Sequence, residues 1–316
     1  MKKKVVNVMK VAHKFGVRRF QSLTELVEHQ NPTIHSEFQI PGTKNHDPNP
    51  CLLDESTYPM FQVELQNYME NLERDFESGR SYTSFKFGDG DYNFLKRIPS
   101  GSAQPGKRAV SRNLSKSEMS PFITGSKKCN KYFCEIYPEN RKMFQEVIGS
   151  DRNTIPAEFN YGLVSNKWLF KEFGSSIGII GASEKVDLIR QLMQYPEYQE
   201  YLGLREFSDY IKVPQKFACD DLESLEISMK EQFKEAKSKL FLFGIGHVKS
   251  GIAWKLNSFW PAIYLDIGSG IDAIAGIIDE KRPYFGDWTN HQLRSGFDYS
   301  KLDLLQLEKS KVKFLN

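Results

Sequence analysis

No run in this 316-residue chain approaches the ~20 consecutive apolar residues of a membrane-spanning helix, so no transmembrane segment is expected. The start is basic at Lys2-Lys3-Lys4, but Lys10, His13 and Lys14 interrupt Val5-Val6-Asn7-Val8-Met9 before a signal-peptide core can form. Cysteine is scarce. Cys51, Cys129, Cys134 and Cys219 include no CxxC pair and no histidine at zinc spacing, which excludes a structural zinc site of the common kinds. Reduced thiols and a cytoplasmic location are the expectation. Charge of one sign is also missing. The net charge is +3 and the basic residues are dispersed, so no nucleic-acid partner is expected.

What is present is a soluble-type composition, 40% hydrophobic and 26% charged, enough to bury a sizeable core. At roughly 100–200 residues per domain, the length allows one large or two ordinary domains. Residues 1–57 show little apolar periodicity and are rich in Pro, Asn and Asp from Asn31 onward, reading as an extended lead-in. Residues 58–297 carry the main domain, and 298–316 read as a tail.

The domain opens with Phe61, Leu65, Tyr68, Met69, Leu72 and Phe76 at helical spacing. Ser81 to Phe87 then reads as a strand. Ile177-Gly178-Ile179-Ile180, Leu240-Phe241-Leu242-Phe243 and Ala262-Ile263-Tyr264-Leu265-Asp266 are short apolar runs closed by glycines, with helical stretches between them. Asp209 to Pro214 is a further strand. Fully apolar strands alternating with helices predict an α/β, Rossmann-like, mainly parallel sheet flanked by helices. Ser100 to Lys131 reads as a long polar loop. Its cations, Lys107, Arg108, Arg112, Lys116, Lys127 and Lys128, suit either a diphosphate or plain solvation.

The stretch richest in chemistry is Phe87-Gly88-Asp89-Gly90-Asp91. It follows a strand, and strand carboxyl ends are where ligands bind in open α/β sheets. Two carboxylates one residue apart can hold Mg²⁺ or Mn²⁺ when a phosphate supplies the remaining oxygens. A surface Asx-turn without function is the plainer explanation of the same residues. Gly244-Ile245-Gly246-His247-Val248-Lys249 follows another strand. Its glycines miss the dinucleotide-fingerprint register, but amides at such a helix start can bind an anion. Gly181 closes a third strand in the same way.

Leu265-Asp266-Ile267-Gly268-Ser269-Gly270 resembles the first motif of S-adenosylmethionine-dependent methyltransferases. That motif opens its domain, whereas here only ~50 residues follow it, too few for further units at roughly 30 residues each. Phe87-Gly88-Asp89-Gly90-Asp91 is similar to the Arg-Phe-Gly-Asp-Gly-Glu motif of bacterial glycosyltransferases of the GT-D fold. Phe243-Gly244-Ile245-Gly246 and Asp266-Ile267-Gly268-Ser269-Gly270-Ile271-Asp272 are similar to that family's closing segments, in order. Lys86 stands for the family's Arg, Asp91 for its Glu, and Ser269 for its His. The resemblance implies a metal-dependent transfer of a sugar from a nucleotide-diphosphate sugar to a glycan or glycoprotein hydroxyl. It implies Asp89 and Asp91 as ligands of Mn²⁺ or Mg²⁺. Lys86, Gly88, Gly181, Gly244, Gly246 and Lys249 would then lie at the donor. Asp266, Asp272 and His247 are the candidates for orienting the acceptor or acting as base. A methyltransferase and a non-catalytic polysaccharide-assembly protein are the alternatives.

Overall fold

A computed structural model of the chain describes residues 18–20, 51–53, 61–98, 114–135, 138–165, 167–214 and 218–275. Strands Arg18–Phe20 (β1) and Cys51–Leu53 (β2) pair antiparallel in a separate two-stranded sheet. The rest of the N-terminal lead-in and the C-terminal tail lie outside the described residues, as do Lys107, Arg108 and Arg112.

The main sheet has seven strands: Tyr82–Phe87 (β3), Lys131–Cys134 (β4), Ile155–Pro156 (β5), Ile177–Ala182 (β6), Asp209–Val213 (β7), Leu240–Gly244 (β8) and Ile263–Asp266 (β9). Every pairing is parallel, and the order is β5-β4-β3-β9-β8-β6-β7. The expected Rossmann-like α/β architecture is therefore present. Helices cover both faces, so the central strands are apolar on both sides. Leu240 and Leu242 of β8 enter one core while Phe241 and Phe243 enter the other.

The helices sort by direction of travel. Asp89–Leu95 (α2), Lys116–Ser126 (α3), Pro138–Val147 (α4), Leu222–Phe233 (α9), Lys249–Ile252 (α10) and Leu256–Phe259 (α11) pack on one face. They link β3 to β4, β4 to β5, β7 to β8 and β8 to β9, all steps toward the β5 edge. Ala157–Ser165 (α5), Trp168–Phe173 (α6), Ser183–Leu192 (α7) and Pro196–Leu202 (α8) link the steps toward the β7 edge and pack on the other face. Phe61–Glu77 (α1) and Gly270–Ile274 (α12) join that second face. A constant crossover hand requires this sorting.

One consequence positions the site. β3 and β9 are neighbours, yet β3 leads into α2 on one face and β9 into α12 on the other. Their loops turn to opposite faces, the arrangement that makes the ligand-binding crevice of such folds at the carboxyl end of the sheet.

Two elements differ from expectation. The polar stretch expected as a loop contains α3, capped by Ser115, whose backbone N–H and hydroxyl both bond Glu118. β4 and β5 were not expected. They have four and two residues, too short to show a period.

Candidate functional site

β3 ends at Phe87, and Gly88 continues the extended backbone, at φ −145° and ψ 178°. α2 then starts at once. Asp89 and Asp91 are not loop residues but sit in its first turn, where acids favour the exposed N–H groups and the positive end of the helix. Asp91 also reaches back to accept the Gly88 N–H at 3.1 Å, which closes the helix start. Side chains two apart on a helix do not face each other. Asp89 is accordingly exposed and accepts the neighbouring Gly90 N–H, while Asp91 turns inward and is 7% exposed.

Inside, Asp91 meets Lys249, which stands at the start of α10, just after the turn that closes β8. Lys249 is 6% exposed. Its Nζ lies 3.1 Å from Asp91 Oδ2 and 2.9 Å from Asp266 Oδ2, and it donates to the Lys86 carbonyl. The Phe85 ring centroid is 4.6 Å away. Burial pulls the Lys249 pKa down, but Asp266 and Asp91 outweigh it and hold the amine above its ordinary value, hence charged. Asp266, at the end of β9, is wholly buried. Its Oδ2 also accepts the Lys86 N–H at 2.8 Å, and its Oδ1 accepts Gly268 N–H at 3.0 Å. Both oxygens are committed, so Asp266 cannot act as a base toward an acceptor. The same burial removes it from a cofactor hydroxyl.

Lys86 lies at the mouth. Its Nζ is 3.9 Å from Glu135 Oε1. Bare glycines flank it: hypothetical Cβ atoms on Gly88 and Gly268 would stand 3.7 and 3.8 Å from that nitrogen. Gly268 has φ +51°, a backbone that favours glycine. His247 is 7% exposed and stacks on Phe94, with centroids 4.7 Å apart and planes 6° from parallel. Its Cε1 lies 3.5 Å from where a Gly90 Cβ would stand. Burial lowers its pKa, against the pull of Asp91 and Asp89, so it is neutral at pH 7.

The remaining expected residues serve packing. A Cβ on Gly244 would stand 2.0 Å from the Gly268 carbonyl, so this glycine lets β8 abut the loop after β9. A Cβ on Gly181 would stand 3.2 Å from both Ile271 and Val186 side chains, a tight fit that a small shift could relieve. Gly246 turns the chain at φ +61°. Asp272 pairs with Lys185 on α7, on the other face. Lys116, Lys127 and Lys128 belong to α3 and its end, and Lys128 sits over the Trp254 ring at 4.1 Å.

Three charges at the end of β4 escaped the sequence reading: Glu135, Arg141 and Glu158. Burial pushes the Cys134 thiol up to about 12, Glu158 and Glu135 add to the rise, and Arg141 and Lys86 oppose it. The four charges therefore surround one strand end. Recognising the short β4 would have pointed to Glu135, the next residue.

A divalent cation is the group that the motif resemblance implies. Asp89 and Asp91 diverge, and Asp91 Oδ2 is held by Lys249 and Gly88. Among the described residues no three His, Cys, Asp or Glu side chains converge as metal ligands. The pair as it stands does not fit one shared ion. Among the described residues no helix is long and apolar enough to cross a membrane. No family model, no curated protein and no solved structure matches the chain.

Proposed function

We propose that this chain is a glycosyltransferase that moves a sugar from a nucleotide-diphosphate sugar to a hydroxyl of a glycan or glycoprotein. The observation that carries the reading is the parting of the β3 and β9 loops to opposite faces of the sheet, with the Lys86 ammonium set between Gly88 and Gly268 and the exposed Asp89 two residues beyond Phe87. An ammonium set against glycine backbone suits a phosphate. The turn glycines let phosphate oxygens approach without meeting a Cβ.

In this reading the bond between the anomeric carbon and the phosphate oxygen breaks, and its electron pair leaves on the diphosphate. Lys86 offsets that charge as it develops. The acceptor hydroxyl attacks the anomeric carbon and gives its proton to Asp89. Neutral His247, from the turn after β8 and packed behind Gly90, is the second proton acceptor. Buried Asp91, Asp266 and Lys249 hold the floor of the site. Asp89 and Asp91 diverge, so no step of this reading runs through a divalent ion shared by them.

The test is thermal stability against UDP, GDP, CDP, dTDP and S-adenosylmethionine. A ligand at 100 times its Kd adds about 2.7 kcal/mol to the native state. The expected result is that one nucleoside diphosphate stabilises the protein and Lys86→Met weakens it about tenfold or more. Stabilisation by S-adenosylmethionine alone, or by none of the five, sinks the reading.

A further inference from the structure

Three oxygens converge on one point beneath the crevice: Asp91 Oδ2, Asp266 Oδ2 and the Lys86 carbonyl. Two carboxylates and a backbone carbonyl make the donor set of a hard-cation site. They come from α2, β9 and β3, three elements that meet only there. The point they surround is filled by the chain itself, with the Lys249 ammonium. The ammonium donates to the Lys86 carbonyl and to Asp266 Oδ2, and it pairs with Asp91 Oδ2 as an ion pair at 3.1 Å. The Phe85 ring closes another side of the same cation at 4.6 Å.

The cage is rigid as well as complete. Asp266 is fixed by the backbone N–H groups of Lys86 and Gly268, and its own N–H donates to Ser84 Oγ at 2.9 Å. Asp91 is fixed by Gly88 N–H. Neither carboxylate can swing out to join Asp89 without abandoning buried partners.

We propose that Lys249 is the resident cation of this site. Its ammonium takes the role between Asp91 and Asp266 that a divalent metal would otherwise have, so that a substrate diphosphate meets Lys86 with no metal bridge. The second half rests on the nucleotide-sugar reading above; the first half stands on the cage alone. Lys249 touches no substrate and is a positioning residue. It holds the ends of β3 and β9 in register beneath the crevice.

The first test uses Mn²⁺ alone on the full chain, with the electron paramagnetic resonance signal of free Mn²⁺ as readout. The wild type is expected to show no saturable site with Kd below about 0.1 mM. Lys249→Ala, which empties the cage and leaves its oxygens in place, is expected to acquire one. That gain is something a merely structural lysine would not produce. A tight wild-type site that Asp89→Asn or Asp91→Asn abolishes overturns the proposal. Should Lys249→Ala fail to fold, the wild-type titration still decides.

The second test measures affinity for UDP, GDP, CDP and dTDP in EDTA and in Mn²⁺. The expected result is one nucleotide bound with Kd unchanged within about twofold. Binding only in Mn²⁺ overturns the proposal. Binding of no nucleotide in either medium sinks the glycosyltransferase reading, and the Mn²⁺ titration then decides the Lys249 assignment by itself.

Discussion

Lys249 and Lys86 carry the same charge at the same edge of the sheet, yet they sit in two different regions. Lys249 lies under the crevice with two carboxylates and a carbonyl around it. Lys86 lies at the mouth, 3.9 Å from one partly exposed carboxylate. The same contrast divides Asp91 from Asp89, two residues apart on one turn of helix. Charges in the floor are held by geometry and burial. Charges at the rim are held by fewer close ionic partners, as the 3.9 Å Lys86–Glu135 pair shows. The lesson is that the end of a parallel sheet holds two layers of polar residues, and only the outer layer is placed to do chemistry on a ligand.

The sharpest way to break that division is to remove one charge from each layer. Lys249→Met leaves Asp91 and Asp266 facing each other without a cation. Breaking a buried ion pair by removing one partner costs about 3–5 kcal/mol. Lys86→Met, which removes an ion pair 3.9 Å long, is expected to cost less than that. Urea unfolding of both variants checks this, with the denaturant slope as a control on two-state behaviour. Equal losses would mean the two lysines are not in different layers.

Next in size is Gly244→Ala. The new methyl would stand 2.0 Å from the Gly268 carbonyl and 2.9 Å from the Ile271 side chain. Overpacking of this kind costs about 1–3 kcal/mol, occasionally more. The same unfolding measurement reads it. No loss would mean that β8 and the loop after β9 do not abut, and the floor of the site would lose its shape.

The division into layers was only half legible in the sequence. Strands β3, β6, β8 and β9 were visible because parallel strands buried on both faces are apolar throughout, as in Leu240-Phe241-Leu242-Phe243. β4 was not, since four residues beginning with a lysine carry no period. α3 was hidden by Pro121 inside it and by the polar residues around it, although Ser115 and Glu118 offered a capping signal. At the site, Asp91, Asp266 and Lys249 were each legible as candidates, but for three separate roles. Their convergence depends on β9 inserting between β8 and β3. The hydrogen bond from Lys86 N–H to Asp266 crosses 180 positions of sequence, and no local pattern encodes such a pairing. The reverse error had a local cause. Asp-Gly-Asp was read as a turn, whereas both acids are helical, and that difference of backbone points them apart.

His247 sharpens the comparison from the acid side, with a smaller effect read as a slope. Burial holds its folded pKa below the ordinary value of about 6.5, against Asp91 and Asp89, while Lys249 also lowers it. A depressed folded value means the unfolded chain binds the proton more readily. The stability linked to His247 is therefore full above about pH 6.5 and is lost as pH falls through the folded value. His247→Gln is expected to flatten the decline in urea midpoint between about pH 6.5 and 5. An unchanged decline would place His247 in the outer layer, titrating as it would in water.

The smallest expected effect is at Asp89. The side chain is exposed, and Gly90 N–H is its one described hydrogen-bond partner. Asp89→Asn keeps a side-chain oxygen for that N–H and removes only a charge at a helix start, worth about 0.3–1 kcal/mol at most. Stability should thus change by less than about 1 kcal/mol, while Asp91→Asn, which loosens Lys249, costs more. If Asp89 is also the group that takes the acceptor's proton, the pair separates a second time. Asp89→Asn would then lower kcat about 100-fold or more with the nucleotide still bound, the usual size of a general-base contribution. A stable, fully active Asp89→Asn protein would remove Asp89 from the chemistry and pass the proton to His247, which packs behind Gly90 from the turn after β8. An unstable one would show that the carboxylate is part of the floor after all.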